Sequence, residues 1–385
     1  MSEVYSIGMP RKVFSGLDSI LKIEEIIKMC GAKKVVLITD KGVFNAGILE
    51  KPLEVLRSLN VEINIISDVP TEPEKKQVMQ IFKEANEFKA DLIIAIGGGS
   101  VMDTTKLVAV LMKNEGYREN ILDTSLIIEN GVKTVMVPTS SGTGAEVTPN
   151  AIVIIPEEEL KVGIVTDKFI GDYVILDPQM TKSLPPHITA STGIDAFCHC
   201  IECFISKKSN PISDIFALKG INLISKYIRR AYINGNDMEA RENMLLAAFY
   251  GGLSISSAST VAVHALSYPL GGKYRIAHGV SNAMLLPYVM EFNANSILDK
   301  LIIVANEMDI DVAGLSKEDI GKKVISEIYL LVKDLKIPSD LTKFGITKED
   351  IETLVDAAAK VTRLLNNNPK EMTRDDMKNI YMKLL

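Results

Sequence analysis

The sequence predicts an α/β domain over residues 1–183 followed by an all-helical domain over residues 184–385. Three observations carry this reading. Short β-branched apolar runs alternate with helical stretches in the amino-terminal half. A glycine-rich stretch joins one of these runs to a helical pattern. Beyond Leu184-Pro185-Pro186 the strand-like runs vanish, and long stretches such as Ala240 to Tyr250 and Ile351 to Leu365 carry apolar residues at helical spacing. At 385 residues the chain is long enough for two sizeable cores.

Taken in order, Lys33 to Asp40, Val61 to Ile66, Asp91 to Ile96 and Thr134 to Val137 read as buried parallel strands, because they are apolar without polar alternation. Ala151 to Ile155 and Lys161 to Val165 read as an antiparallel hairpin about a turn at Pro156-Glu157-Glu158-Glu159, and Tyr173 to Pro178 as one further strand. Hydrophobic residues make up 47% of the chain and charged ones 24%, the balance of a packed globular protein. The formal charge is −6 with Lys and Arg scattered, so no footprint for nucleic acid or an anionic membrane is present. Residues 1–6 carry neither a basic n-region nor an apolar core, and no apolar run long enough to span a bilayer stands out, so a cytoplasmic protein is expected.

Three of the four histidines fall where a metal could be held. Asp195 and His199 are four apart, which on a helix puts both on one face with Cβ atoms about 5–6 Å apart. His264 is expected on a helix and His278 in the loop that follows it. The same spacing also fits satisfied core residues. Cys198, Cys200 and Cys203 crowd the same segment while Cys30 lies far away, a distribution of thiols rather than disulfides. Cys203 shares a face with His199, which leaves thiolate ligation open beside simple small-residue packing.

Gly97, Gly98, Gly99 and Ser100, with Asp103 one turn further on, follow a predicted strand and open a predicted helix. Glycines there let the backbone approach a pyrophosphate whose charge meets the N–H groups of the helix start. The spacing is not the common dinucleotide fingerprint. Thr139, Ser140 and Thr143 end another strand in hydroxyls and glycines, suited to ribose and phosphates or equally to a capped turn. Asp40 ends its strand in a carboxylate that can accept from an adenosine ribose and repel a 2′-phosphate, favouring NAD over NADP; a plain strand-end turn residue is the alternative.

Leu176-Asp177-Pro178, Leu184-Pro185-Pro186, the Asp195/His199 segment, His278-Gly279 running to Leu286-Pro287, and Asn368-Pro369 together resemble the iron-containing alcohol dehydrogenase family, and the likeness spans nearly the whole chain. The resemblance implies a Rossmann-like nucleotide domain followed by an all-helical metal-binding domain, the plan shared with dehydroquinate synthase. It implies Asp195, His199, His264 and His278 as ligands of Fe(II), with zinc, manganese, cobalt and nickel as competitors that ligand type does not separate. The Gly-Gly-Gly-Ser-x-x-Asp-x-x-Lys pattern and the Pro138–Thr148 segment resemble the family's cofactor segments, and Lys161 matches a position that reaches the dinucleotide. Asn150 matches a substrate-side position, with packing as its alternative. The implied reaction is hydride transfer between a small primary alcohol or diol and the nicotinamide, in a homodimer or higher homo-oligomer.

Two departures stand out. Pro70-Thr71-Glu72-Pro73 stands where many relatives carry Asn before Pro. Tyr268 stands where many have a second histidine, four residues after His264; its phenol can serve the substrate or a relay water, or its ring can simply form a wall. Two other functions fit the same plan: a metal- and NAD-using lyase or cyclase of the dehydroquinate synthase type, for which the basic residues of a phosphorylated substrate site are lacking, and a structural or sensing relative.

Overall fold

The computed structural model describes residues 4–155 and 160–385, and the chain divides into two compact units. One comprises Gly8–Ser140 and Gly144–Leu184, the other Met1–Ile7, Ser141–Thr143 and Pro185–Leu385.

The first unit runs β1 (Lys12–Ser15), α1 (Ile23–Cys30), β2 (Lys34–Ile38), α2 (Lys41–Asn45), α3 (Glu50–Arg57), β3 (Glu62–Ile66), α4 (Lys75–Phe88), β4 (Leu92–Gly97), α5 (Gly99–Lys113), β5 (Lys133–Pro138), β6 (Asn150–Ile155), β7 (Leu160–Val165) and β8 (Tyr173–Leu176). Six of these strands form one parallel sheet in the order β1-β8-β5-β4-β2-β3. Val35, Leu37, Ile94, Ile96, Val135 and Val137 pack on one face with Ile23 and Ile26 of α1 and Leu56 of α3. Their sequence neighbours Val36, Ile38, Ile93, Ala95 and Met136 are equally buried on the other face, where α5 lies against β4 and β5. Burial on both faces is why these strands read as unbroken apolar runs.

β1 escapes that reading: it is an edge strand, largely exposed, and its Lys-Val-Phe-Ser sequence lacks the apolar run of a central strand. β6 and β7 form the antiparallel pair expected, in register from Asn150↔Val165 to Ile155↔Leu160, while the turn expected at 156–159 lies outside the described residues. β2 pairs with β3 on one side and with β4 on the other. The chain therefore reverses its direction of travel across the sheet between these strands, and the carboxyl ends of β2 and β4 flank a topological switch point, the usual ligand crevice of a parallel sheet.

Lys106 is fully buried on α5, with its Nζ 3.2 Å from Asp103 Oδ1, 3.2 Å from Thr148 Oγ1 and 2.6 Å from the Asn150 carbonyl. Asp103 Oδ2 accepts from the Ile152 amide at 3.0 Å. The pair thus pins residues 148–152 to α5. Burial pushes the nearby Glu146 carboxyl up to about 7, only partly offset by its backbone hydrogen bond and the Lys106 charge. A carboxyl whose folded-state pKa lies above its unfolded one binds its proton more tightly in the native state. Its stabilisation is complete below about 4.5 and is lost as pH rises towards about 7. Glu146→Gln should therefore melt like the parent near pH 4.5 and higher than it at pH 8, by about 3 kcal/mol at most. Parallel melting curves across that range would show that Glu146 carries no such penalty.

The second unit is helical: α6 (Pro186–Ile205), α7 (Pro211–Ile233), α8 (Met238–Ser257), α9 (Ala262–Tyr274), α10 (His278–Asn293), α11 (Leu298–Glu307), α12 (Lys317–Asp334), α13 (Ile351–Ala359), α14 (Thr362–Leu365) and α15 (Arg374–Met382). α6 starts with Pro186 at its first position, where a missing N–H costs nothing. It is long and apolar enough to cross a bilayer by composition, contrary to the sequence expectation that no such run exists. Its residues are instead buried almost all round in this unit's core, against helices that include α7 and α8.

One expectation is corrected here. His278 does not sit in a loop: Ala277 caps α10 and His278 is its first residue. Gly279 and Pro287 are both accommodated within that helix. The 351–365 stretch is helical, in two pieces, because Val361 leaves helical geometry (φ −83°, ψ 50°) and separates α13 from α14.

Candidate active site

α6 projects Asp195, His199 and Glu202 at spacings of four and seven, one stripe of an otherwise apolar helix. His264 is the third residue of α9 and His278 the first of α10. The three helices bring one ligand atom from each of Asp195, His199, His264 and His278 within 4.8 Å of one another. From Asp195 Oδ1 the three imidazole Nε2 atoms lie at 3.8, 3.8 and 3.7 Å for His199, His264 and His278. The His199 and His264 rings stack at 4.8 Å, and the His278 ring meets His264 at 5.2 Å and a steep tilt. Asp195, His199 and His264 are buried, whereas the His278 side chain keeps 35% exposure and leaves the cluster open to a small molecule.

This donor set fits a divalent cation. A desolvated carboxylate is costly without a compensating positive charge. Burial works against the charged form of Asp195, yet the three imidazoles and the Asn282 amide hold its pKa below the ordinary value. Burial also holds the His199 pKa down and takes His264 to about 4, so both rings are neutral and have lone pairs to offer. Mixed imidazole and carboxylate ligation suits iron, zinc, manganese, cobalt or nickel. His199 Nδ1 lies by the Gly142 backbone without a hydrogen bond of good geometry.

Two residues that sequence reasoning missed complete the cluster. Asn282, one turn after His278 on α10, places Nδ2 2.7 Å from Asp195 Oδ1 and 3.2 Å from Nε2 of both His264 and His278. Glu202 is fully buried and bonds to both the ring and the helix of His264. The available signal was a glutamate flanked by Cys, Ile and Phe, seven residues after Asp195 on an otherwise apolar helix.

The cysteines stand outside the metal-ready cluster. All four are free thiols; burial raises Cys198 and Cys203 well above the usual thiol range and pushes Cys200 up to about 12. Cys203 is therefore a protonated packing residue, and the thiolate alternative loses its support. Tyr268, one turn beyond His264, has its ring centroid 6.2 Å from that of His278, with Arg363 alongside its hydroxyl; burial raises its pKa.

In the first unit, Asp40 caps α2 by accepting from the Val43 amide at 2.9 Å. Gly97 ends β4, and a Cβ there would lie 2.5 Å from Val101 Cγ2, so the turn into α5 admits only glycine without a shift. Gly98 caps α5 with no side-chain partner for the orphan N–H groups, Gly99 and Ser100 begin the helix, and Ser100 Oγ donates to the Thr71 carbonyl. The Thr139 amide donates to the Gly97 carbonyl at 3.1 Å, with Ser140 beside Gly98. A buried pin that sequence reasoning missed, Thr39 Oγ1 to the Ile96 carbonyl at 2.7 Å, locks β2 to β4 immediately before Asp40. Asp40, Gly97 to Ser100, Thr139 and Ser140 thus gather at the carboxyl ends of β2, β4 and β5. Asp103 instead turns to Lys106 and Ile152, Asn150 opens β6 with its carbonyl held by Lys106, and Lys161 pairs with Ile154 in β7. Thr143 belongs to the segment that groups with the helical unit.

Comparison with known proteins gives the same picture over the whole chain. Residues 10–178 match the iron-containing alcohol dehydrogenase family, and residues 189–385 match the carboxyl-terminal part of the Fe-containing alcohol dehydrogenase family. Long-chain-alcohol dehydrogenase 1 of Geobacillus thermodenitrificans is 36% identical, over 92% of this chain and 90% of its own length. The crystal structure of a 1,3-propanediol oxidoreductase superposes with a TM-score of 0.96 at 30% identity, covering both chains completely. That of sulfoacetaldehyde reductase from Bifidobacterium kashiwanohense in complex with NAD+ gives 0.88 at 26% identity, over 100% of this chain and 99% of the other. With a helical carboxylate–imidazole cluster and a glycine-rich strand-to-helix turn each in place, the chain belongs to the iron-containing alcohol dehydrogenase family, metal- and nicotinamide-dependent oxidoreductases that interconvert alcohols and aldehydes.

Proposed function

We propose that Asp195, His199, His264 and His278 hold the catalytic Fe(II) and that the enzyme acts on small primary alcohols or diols and their aldehydes with NAD. The observation that carries this is the arrangement of three imidazole Nε2 atoms at 3.7–3.8 Å around one buried carboxylate oxygen. When bound there, a divalent ion supplies a Lewis acid for the substrate oxygen. The protein's own part is to keep the imidazoles neutral by burial, to orient them, and to leave the His278 side open. The α5 start offers free N–H groups to a pyrophosphate, and the Asp40 carboxylate, with Oδ1 turned to Val43, suits an adenosine ribose and disfavours a 2′-phosphate. Thr139, Ser140, Thr143 and Lys161 are assigned to the same dinucleotide, and Asn150 to the substrate. Free thiols and the lack of a basic footprint support a cytoplasmic enzyme of small molecules, and a homo-oligomer is the expected assembly.

Nicotinamide absorbance with a panel of aldehydes, run on the iron-loaded chain, tests the assignment; no turnover on any of them would defeat it. Neither a lyase of the dehydroquinate synthase type nor a structural relative is favoured, since the relatives named above are alcohol dehydrogenases and aldehyde reductases.

Tyr268 stands one turn from His264 with its ring beside His278, so its hydroxyl is assigned to proton transfer at the substrate oxygen. Tyr268→Phe keeps the ring and deletes only that hydroxyl. Turnover should drop by about 10²-fold or more with metal content unchanged, and the pH profile should move. A Phe variant equal to its parent in both would make Tyr268 a wall.

A further inference from the structure

We infer that Glu202 is the positioning residue of the metal centre: its carboxylate fixes the His264 ring in the tautomer that presents a bare Nε2 to the metal, and at the same time caps the helix that carries this histidine. The inference rests on the ligand set proposed above.

Both carboxylate oxygens are spent, each on a different donor. Oε1 accepts from the Val263 amide at 2.6 Å, and Oε2 is hydrogen-bonded to His264 Nδ1. The side chain is fully buried, so no water competes for either oxygen. Val263 is the second residue of α9, whose first-turn N–H groups have no intrahelical acceptor, and Val261 at the cap supplies no side-chain oxygen. Glu202, arriving from α6, takes the place of the missing cap and brings negative charge to the positive end of a 13-residue helix. The donor next in line is the imidazole of the following residue. Burial pushes the Glu202 carboxyl up to about 8, and in its ionised form it can only accept. Nδ1 then carries the proton, and Nε2, 3.8 Å from Asp195 Oδ1 and 3.2 Å from the Asn282 amide nitrogen, a donor, keeps its lone pair facing the cluster. One group thereby sets the start of α9, the rotation of the ring and the identity of the ligating nitrogen.

Glutamine tests this sharply because it keeps the shape and removes one of the two acceptors. With its carbonyl towards Val263, its NH₂ confronts Nδ1, and His264 must turn over to the tautomer with a proton on Nε2, which cannot bind a cation. With its carbonyl towards His264, the Val263 amide is left buried opposite another donor. Either way the centre weakens.

Glu202→Gln and the parent would be stripped of metal and titrated with Zn(II) against a competing chelator, with melting of the stripped proteins as the control. The expected result is a Zn(II) dissociation constant raised about 10–100-fold, together with a changed Co(II) absorption spectrum. A purely structural role would lower the melting temperature of the stripped variant and leave its metal affinity and Co(II) spectrum at parental values; that outcome overturns the inference. A parent that binds no stoichiometric metal sinks the ligand set, and this inference with it, whereas a variant that binds as tightly as a competent parent sinks this inference alone. Should the variant not fold, the zinc-loaded parent labelled with ¹⁵N-histidine decides the question, since the chain has only four histidines. His264 must show a proton on Nδ1, and a bare Nδ1 refutes the assignment.

Discussion

His199→Ala should purify folded, hold almost no metal and turn over about 10³-fold or more slowly, while still binding NAD. The reason is geometric. His199 and Asp195 form the α6 half of the cluster, four residues apart on a helix buried almost all round, so nothing mobile is available to take the vacated place. Lewis-acid stabilisation by a bound ion is worth several kcal/mol, and about 4 kcal/mol corresponds to a factor of 10³ in rate. The glycine-rich turn that ends β4 belongs to the other unit and is untouched, so nucleotide affinity serves as the internal control. Metal content by emission spectroscopy, turnover, and NAD binding by calorimetry are measured on one preparation. A variant that keeps its metal and its rate removes His199 from the ligand set.

How much of this was legible in the sequence depended on whether a residue's environment could be inferred from its neighbours. β2, β4 and β5 announced themselves because both faces are buried, which forces a continuous apolar run. β1 did not, since an edge strand of Lys, Val, Phe and Ser has a solvated side and resembles a loop. Asp195, His199, His264 and His278 were legible because histidine is scarce in this chain and because the surrounding segments resemble a family. The structure gathers all four within 4.8 Å.

Glu202 and Asn282 were illegible for a physical reason: glutamate and asparagine are ordinary on helix surfaces, and only tertiary packing reveals that these two face inward. Asp103 shows the converse limit: its place in a glycine-rich motif suggests the cofactor, and only the structure shows that its oxygens also engage Lys106 and the Ile152 amide. A motif fixes where a residue lies along the chain, while long-range pairing decides what it touches.

Gly279→Ala should be the most damaging single-methyl change near the centre, although residue 279 ligates nothing. A Cβ at this position would lie 2.2 Å from the Ser191 carbonyl oxygen and 2.7 Å from its carbon, both backbone atoms of α6 that no rotamer change can move aside. The missing side chain lets the first turn of α10 press against α6, and that contact sets His278 Nε2 3.7 Å from Asp195 Oδ1. Adding a methyl group forces the helices apart at the residue next to His278. Overpacking of a tight core typically costs about 1–3 kcal/mol. The larger effect should fall on the metal, because a displacement of about 1 Å moves one imidazole out of reach while the other three ligands stay. The expected result is a stripped protein that melts a few degrees lower and a Zn(II) affinity reduced well beyond what that loss of stability explains. Gly272→Ala in α9, where an added Cβ meets nothing within 4 Å, provides the matched control and should behave like the parent. If Gly279→Ala binds Zn(II) as the parent does, the approach of α10 to α6 is not what holds His278 in the cluster.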